Sequence, residues 1–256
     1  MAHYLHALLL GDDVGAGPRL AALPKGALGQ PRLELFAGIS TVVSTPDATE
    51  ILPVRRNLMA HMRVIEHLAP RHPGVPVRFG QVFPDKRALG ETITRNAAAI
   101  RSEITRLSGF IEFALRVTIE RQAAIAQLAA ANPTLRKAYM AASTSVDGHR
   151  RRIELGRRVS ELLAETRAAS ERSLLAALRE VATDLRPEPP SEDVELLRVS
   201  LLVERGKEAA LEGVISQAVN RLDWGDAKTI AVKLVGPTLP GSFVTLDLAA
   251  GAASAA

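Results

Sequence analysis

The residues best suited to chemistry are the six histidines, five of which fall in two short stretches: His3 and His6 near the start, and His61, His67 and His72 with Glu66 among them. Imidazole nitrogens beside a carboxylate could hold zinc or move a proton. A zinc helix, however, places its two histidines four residues apart on one face. His61 and His67 are six apart and fall on roughly opposed faces of a helix. Surface or capping roles are therefore expected for these histidines, and neither metal nor cofactor is expected. The other catalytic signals are missing. There is no Gly-x-Ser-x-Gly elbow and no Gly-x-x-x-x-Gly-Lys-Ser/Thr phosphate loop. Gly11, Gly15 and Gly17 follow an apolar run, but Pro18 and Pro24 oppose the long helix that a dinucleotide site needs. The absence of cysteine removes disulfides, thiolate metal sites and a thiol nucleophile together. The chain reads as a non-enzyme.

Its charge favours no nucleic-acid partner either. The net charge is +4 with a pI near 9.7. The densest basic run, Arg150, Arg151 and Arg152 after His149 with Arg157 and Arg158 following, is interleaved with Glu154 and Glu161. On a helix these residues spread around the circumference as a solvated face. Aromatic residues are 4% of the chain, so few rings are available to stack bases.

The elements that would position these residues can be read from periodicity. Hydrophobic residues are 47% and charged ones 23%, enough for a packed core, and 256 residues suit two domains. Residues 1–10 lack a basic leader and read as a strand; no apolar run approaches the ~18–20 residues of a membrane span, so a soluble, cytoplasmic protein is expected. Residues 32–43 read as one strand with Leu33, Leu35, Ile39 and Val43 on one face. Residues 54–69 read as a helix with Leu58, Met62, Ile65 and Ala69 on its stripe. A strand over 75–83 carries Val75, Val77 and Phe79 inward, with Arg78 outward. One helix follows from Pro84-Asp85 to about Leu107. Residues 110–120 alternate most clearly: Ile111, Phe113, Leu115, Val117 and Ile119 face one way, while Glu112, Ala114 and Arg116 face water.

From about Arg121 alanine, arginine, glutamate and leucine take over, and a helical region is expected up to Leu185. A long helix from about His149 carries a weak heptad seam through Val159, Leu162, Thr166, Ala169 and Leu178, so an intramolecular hairpin and a monomeric chain are expected. The proline-rich segment 186–190 reads as a stiff linker. Beyond it, residues 194–203 are a strand, 207–222 a helix with Leu211, Val214, Ile215, Ala218 and Leu222 on its stripe, and 227–235 a strand. A disordered tail is expected over 249–256.

Two distant segments carry a family resemblance. Pro76-Val77-Arg78-Phe79-Gly80-Gln81-Val82-Phe83 and Leu234-Val235-Gly236-Pro237 with Ser242-Phe243-Val244 resemble the signature blocks of the gas vesicle protein L/F family (GvpL/GvpF). Tyr4-Leu5-His6-Ala7 is similar to the family's opening strand, and residues 60–66 to the helix before the first block. The resemblance spans nearly the whole chain. It implies an α+β fold, with a modified ferredoxin-like domain over 1–120 and a helix-rich α+β domain with long antiparallel helices over 121–248. It also implies a non-enzymatic accessory or minor structural protein of the gas vesicle that binds the major shell protein and supports assembly. The implied interface residues are Arg78, Gly80, Gly236, Pro237, Pro240, Ser242 and Phe243. In the family the last block usually reads Gly-Pro-Trp-Pro-Pro-Tyr-Ser-Phe; Thr238, Leu239 and Gly241 depart from it here. Aromatic anchors are favoured at interfaces, so the departure implies a changed contact surface or a diverged paralogue. The alternatives are an RNA-binding ferredoxin-like protein or a small-molecule enzyme. The RNA-binding version of this fold needs exposed aromatics on its central strands, where this sequence offers Glu112, Ala114 and Arg116.

Overall fold

The computed structural model describes residues 1–11, 16–23, 25–47, 50–144, 148–224 and 227–248. The tail beyond 248 and most of the loop after Gly11 lie outside them. The architecture is α+β, with two antiparallel sheets and eight helices among the described residues. None of these helices is long and apolar enough to cross a membrane. The chain forms two compact units, one of residues 1–113 joined by the segment from 236, the other of 114–235. The sequence reading divides the chain at 120 and keeps 121–248 together; the compact units instead change at 113, inside a strand, and the chain re-enters the first unit at Gly236.

The first unit begins with β1 (His3–Leu10), α1 (Ala16–Ala22), β2 (Arg32–Phe36) and β3 (Ile39–Ser44). Residues 32–43 are thus a hairpin and not one strand. Ala37 and Gly38 both have positive φ, 48° and 72°, which is the geometry of a two-residue hairpin turn. The turn reverses parity: Leu33 pairs with Val42 and Phe36 with Ile39, so Leu33 and Leu35 do not share a face with Ile39 and Val43. Next come α2 (Arg55–Leu68), β4 (Gly74–Pro76), β5 (Val82–Phe83), α3 (Lys86–Arg95) and α4 (Ala97–Leu107). The expected single helix to Leu107 is split at Asn96, which caps both pieces. Asp85 starts α3 by accepting the Ala88 N–H at 2.8 Å.

The sheet of this unit runs β2-β3-β1-β4, with β5 also paired to β1. As the central strand, β1 is buried along seven of its eight residues. Its pairing with β3 slips one residue between Leu5 and Ala7, which makes His6 the extra residue of a β-bulge. Beyond the bulge, Ala7 and Leu9 pack with Leu20 of α1 and Val64, Ile65 and Leu68 of α2. The buried face of α2 is Asn57, His61, Val64, Ile65 and Leu68; of the expected stripe Ile65 and Ala69 are buried and Met62 packs against the core, whereas Leu58 is exposed.

A strand β6 (Phe110–Ile119) leads out of this unit; its five apolar alternates are all buried, as the periodicity indicates. The second unit holds α5 (Arg121–Ala131), α6 (Pro133–Thr144), α7 (Gly148–Leu178), β7 (Asp184–Pro187), β8 (Glu195–Glu204), α8 (Glu208–Asn220) and most of β9 (Ile230–Thr238), whose residues from Gly236 belong to the first unit. Pro133 opens α6 after Asn132, whose side chain accepts the Leu135 N–H at 3.0 Å. The long helix ends at Leu178, before the expected Leu185, and the presumed linker is edge strand β7, paired antiparallel with β8. Pro187 is tolerated there because an edge strand need not donate its N–H on both sides. The seam of α7 keeps the expected Leu178 but earlier sits one residue on: Leu163 and Ser170 are buried, with Leu174, whereas Ala169 is exposed. The indole of Trp224, 2% exposed, donates to Ser170 Oγ at 2.8 Å and fixes that register.

Candidate functional site

The first signature segment and, from Gly236 on, the second lie in the first unit, and the buried polar groups around them explain their shape. The segment expected as one strand over 75–83 is two short strands, β4 and β5, flanking a loop that leaves and rejoins β1. Val77 N–H donates to the His6 carbonyl at 2.9 Å, and Leu5 N–H to the Gln81 carbonyl at 3.0 Å. Between them Gly80 turns with φ 94°, a left-handed conformation suited to glycine. The Tyr4 hydroxyl accepts the Gly80 N–H at 3.2 Å and donates to His61 Nδ1 at 3.0 Å. His61 also bonds the Val77 backbone, which fixes its tautomer: the ring donates there and accepts from Tyr4. Phe79 sets its ring edge-on to Tyr4 and His61, with centroids 6.0 and 5.8 Å away. It is half-buried, and Arg78 and Gly80 are exposed.

His6 stacks on His61 with centroids 5.4 Å apart and bonds Ser44 Oγ through Nε2 at 2.9 Å. Burial, with His61 second, pushes the His6 pKa down to about 3. Burial likewise lowers His61 to about 4, opposed by the bond to Val77. Tyr4 is pushed up to about 12 by burial, opposed by the Gly80 amide. All three groups are neutral near pH 7 and act as fixed hydrogen-bonding partners. The surface role expected for the histidines is corrected: His3, His6, His61 and His72 are buried. A neutral imidazole is tolerated inside when its nitrogens find partners, as those of His61 do; His6 is held through Nε2 alone, its buried Nδ1 bonding to none of the described residues. Among the described residues no three His, Asp or Glu side chains are grouped so as to hold a metal.

The second segment is gripped by two carboxylates. Gly236, φ 139°, passes so close to β6 that an added Cβ would stand 2.7 Å from the Glu112 carbonyl and 2.8 Å from the Phe113 ring. The peptide bond from Gly236 to Pro237 is cis. Leu239 joins the core of β1, α1 and α2, and Phe243 is 1% exposed. Between them, a Cβ on Gly241 would lie 3.1 Å from Pro76 Cγ, so the two signature segments touch there. Glu112 accepts Ser242 N–H at 2.8 Å and Ser242 Oγ–H at 2.5 Å, and is buried where alternation placed it in water. One turn further, Arg106 donates to Glu103 at 2.9 and 2.7 Å and to the Phe243 carbonyl at 2.8 Å. Glu103 also accepts Thr245 N–H at 2.6 Å and Thr245 Oγ–H at 3.0 Å. The Arg106 bonds, with those from Thr245 and against burial, hold its carboxyl down at about 2.

Of the seven residues the sequence singles out, Arg78, Gly80, Gly236 and Ser242 are exposed, Pro237 is half-buried, and Pro240 and Phe243 are buried. The ring of Phe243 is therefore a core side chain and presents no surface. Thr238 is half-buried and Gly241 exposed, at the positions where the family's Trp and Tyr would stand. Glu103, Glu112 and Tyr4 are not singled out by the sequence, and His61 is singled out there only for metal or proton chemistry. Glu103 was legible: it falls on the same helical stripe as Ile100, Ile104 and Leu107, where an acid must have a partner.

Comparison with known proteins agrees with this geometry. The family model described as "Gas vesicle synthesis protein GvpL/GvpF" matches residues 4–245, from the tyrosine that holds the first segment to the threonine that closes the second. Gas vesicle protein F of Streptomyces sp. (strain CB03234) is 28% identical over 225 residues, covering 86% of this chain and 91% of that protein. The crystal structure of GvpF from Anabaena sp. PCC7120 superposes with a TM-score of 0.73 at 16% identity, covering 96% of this chain and 99% of that one. That of GvpF from Microcystis aeruginosa gives 0.69 at 19%, with the same coverage. The chain belongs to the GvpL/GvpF family of gas vesicle synthesis proteins.

Proposed function

We propose that this chain is a non-enzymatic accessory or minor structural protein that binds the major gas vesicle shell protein and supports its assembly in the cytoplasm. Family membership supports the gas vesicle role. The observation that carries the rest is the use made of the buried polar groups: Tyr4, His61, Glu103 and Glu112 are spent on shaping the two signature segments. Two histidines held neutral far below pH 7 are poor proton carriers at that pH. The unit offers shape and surface, which are the requirements of a binder.

A small hydrophobic shell subunit exposes aggregation-prone surface before it assembles. A monomeric binder of that surface would deliver subunits to the growing shell. Arg78, Gly80, Gly236, Pro237 and Ser242 are the proposed contact positions, since they combine exposure or partial exposure with a rigidly held backbone. Co-expression of this chain with the shell protein tests the proposal. Co-purification, and defective vesicles on deletion of the chain, are the expected results. Normal vesicles without it and no co-purification would overturn the reading, while turnover of a metabolite or selective retention of RNA would replace it.

A further inference from the structure

The outward face of α2 combines apolar and cationic side chains that nothing in the unit uses. Arg55, Met59 and Arg63 follow at i, i+4 and i+8, one above the other at about 6 Å per step along the crest opposite the buried face. Arg56 and Leu58 flank them, and Leu52 and Val54 lead into the first turn. Leu52 is 56% exposed, Val54 42%, Leu58 38% and Met59 44%, a concentration of exposed large apolar residues in eight positions. Arg55, Arg56 and Arg63 are exposed, and among the described residues none of the three forms an ion pair. The first turn carries no acidic residue.

We propose that this face docks a helix of the shell protein that bears an apolar stripe edged by carboxylates. The inference rests on the shell-protein reading above and deepens it by naming the surface and the chemistry of its partner. Charge complementarity identifies the occupant: guanidinium groups one helical turn apart match carboxylates at the same i, i+4 step, and each pair can be bidentate. Met59 between them is a flexible apolar side chain that adapts to a partner's surface, and methionine and arginine are both enriched in interfaces. The pattern fits the other polyanions poorly. An RNA platform needs aromatic rings to stack bases, and this face has none. A helix lying on a membrane segregates its charges from its apolar stripe, whereas here Met59 sits between two arginines on one line.

The test uses the full chain co-expressed with the shell protein. Met59→Asp and the double variant Arg55→Glu with Arg63→Glu should each reduce the retained shell protein by roughly tenfold. Thermal unfolding should stay in place, because the altered side chains are exposed. A photo-reactive residue replacing Met59 should crosslink to the shell protein, at a segment that carries acidic residues. Arg172→Glu with Arg179→Glu, exposed arginines in and just after α7, makes the same change in net charge as the double variant on a different element and should leave retention unchanged. If the wild-type chain captures the shell protein and the α2 variants capture it equally, this surface is wrong and the functional reading survives. Failure of the wild-type chain to capture it removes both. Loss in the variants of retention on RNA or anionic lipid vesicles, with shell-protein capture intact, would assign the face to that partner instead.

Discussion

The terminal closure of the first unit and the long helix of the second use their polar groups in opposite ways. In the first, buried carboxylates reach far along the chain: Glu112 holds Ser242, 130 residues on, and Glu103 holds Thr245, 142 residues on. The second unit has a buried carboxylate too, Glu195, which pairs with Arg116 at 2.6 Å and Arg198 at 3.1 Å. Along α7, however, the ion pairs are local: Arg157 lies between Glu154 and Glu161, at i,i+3 and i,i+4, and all three are substantially exposed. The bond from Trp224 to Ser170 sets the register of that helix. Long-range buried bonds close a topology and leave unsatisfied groups when broken, whereas exposed i,i+4 pairs contribute little. The closure of the first unit should therefore respond sharply to small chemical changes, and the exposed helix faces of the second should absorb them.

Acid should give the largest contrast. His6 and His61 have folded pKa values of about 3 and about 4, against an ordinary value of 6.5. Their contribution is complete above the unfolded value and is lost as pH falls through it, because the unfolded chain takes up protons that the folded chain refuses. Each ring should remove roughly 2 kcal/mol by about pH 5. Denaturant unfolding at about pH 7.5 and pH 5 measures the loss. Amide exchange at Gly80 should accelerate before that of β8. Equal stability at the two pH values would sink the claim that these rings are buried neutral.

Gly236→Ala comes next. The new Cβ would meet the Glu112 carbonyl and the Phe113 ring at under 3 Å, on a residue whose φ of 139° already disfavours a side chain. A loss of about 3 kcal/mol is expected, as a fall in the denaturation midpoint. An unchanged midpoint would mean that the terminal segment does not close against β6 as described.

How far the sequence disclosed this arrangement varied with the kind of signal. Strands with uninterrupted alternation, such as β6, were legible because one face is apolar along its whole length. The hairpin of β2 and β3 was not, since its turn consists of Ala37 and Gly38, and alanine rarely adopts positive φ. The stripe of α2 was legible at Met62, Ile65 and Ala69 but not at its start, because counting apolar residues ignores Asn57, which bonds the Leu52 carbonyl, and His61, whose bond to Tyr4 only the tertiary structure creates. For the same reason Glu112 was assigned to water: its partner Ser242 lies on a segment whose return to this unit no local pattern reveals. The signature segments marked the family correctly, while the groups that hold them, Tyr4 and His61 among them, were hidden by their ordinary surroundings in sequence.

Tyr4→Phe probes that hidden layer with a smaller effect. Removing the hydroxyl deletes its bonds to Gly80 and His61 while keeping the ring contacts, and a loss of about 1–2 kcal/mol should follow. Because the hydroxyl donates to the neutral imidazole, its removal should also raise the His61 pKa and flatten the acid response. That second readout, obtained by following the ring resonances of His61 with pH, separates a specific hydrogen bond from a general loosening of the core. Loss of stability with the acid response unchanged would place the effect elsewhere.

The smallest expected effect has the opposite sign and belongs to the second unit. Gly213 lies inside α8, exposed, with a helical backbone and nothing within 4 Å of where a Cβ would stand. Glycine there frees the unfolded chain without serving a turn or a close approach, so Gly213→Ala should stabilise by up to about 1 kcal/mol. The same substitution that should cripple the closure at Gly236 should improve the helix at Gly213, and only the surroundings differ. If urea denaturation shows both variants destabilised, α8 does not hold the isolated, solvent-facing glycine described here, and the contrast between a closure made by long-range contacts and an exposed helix face fails on its local side.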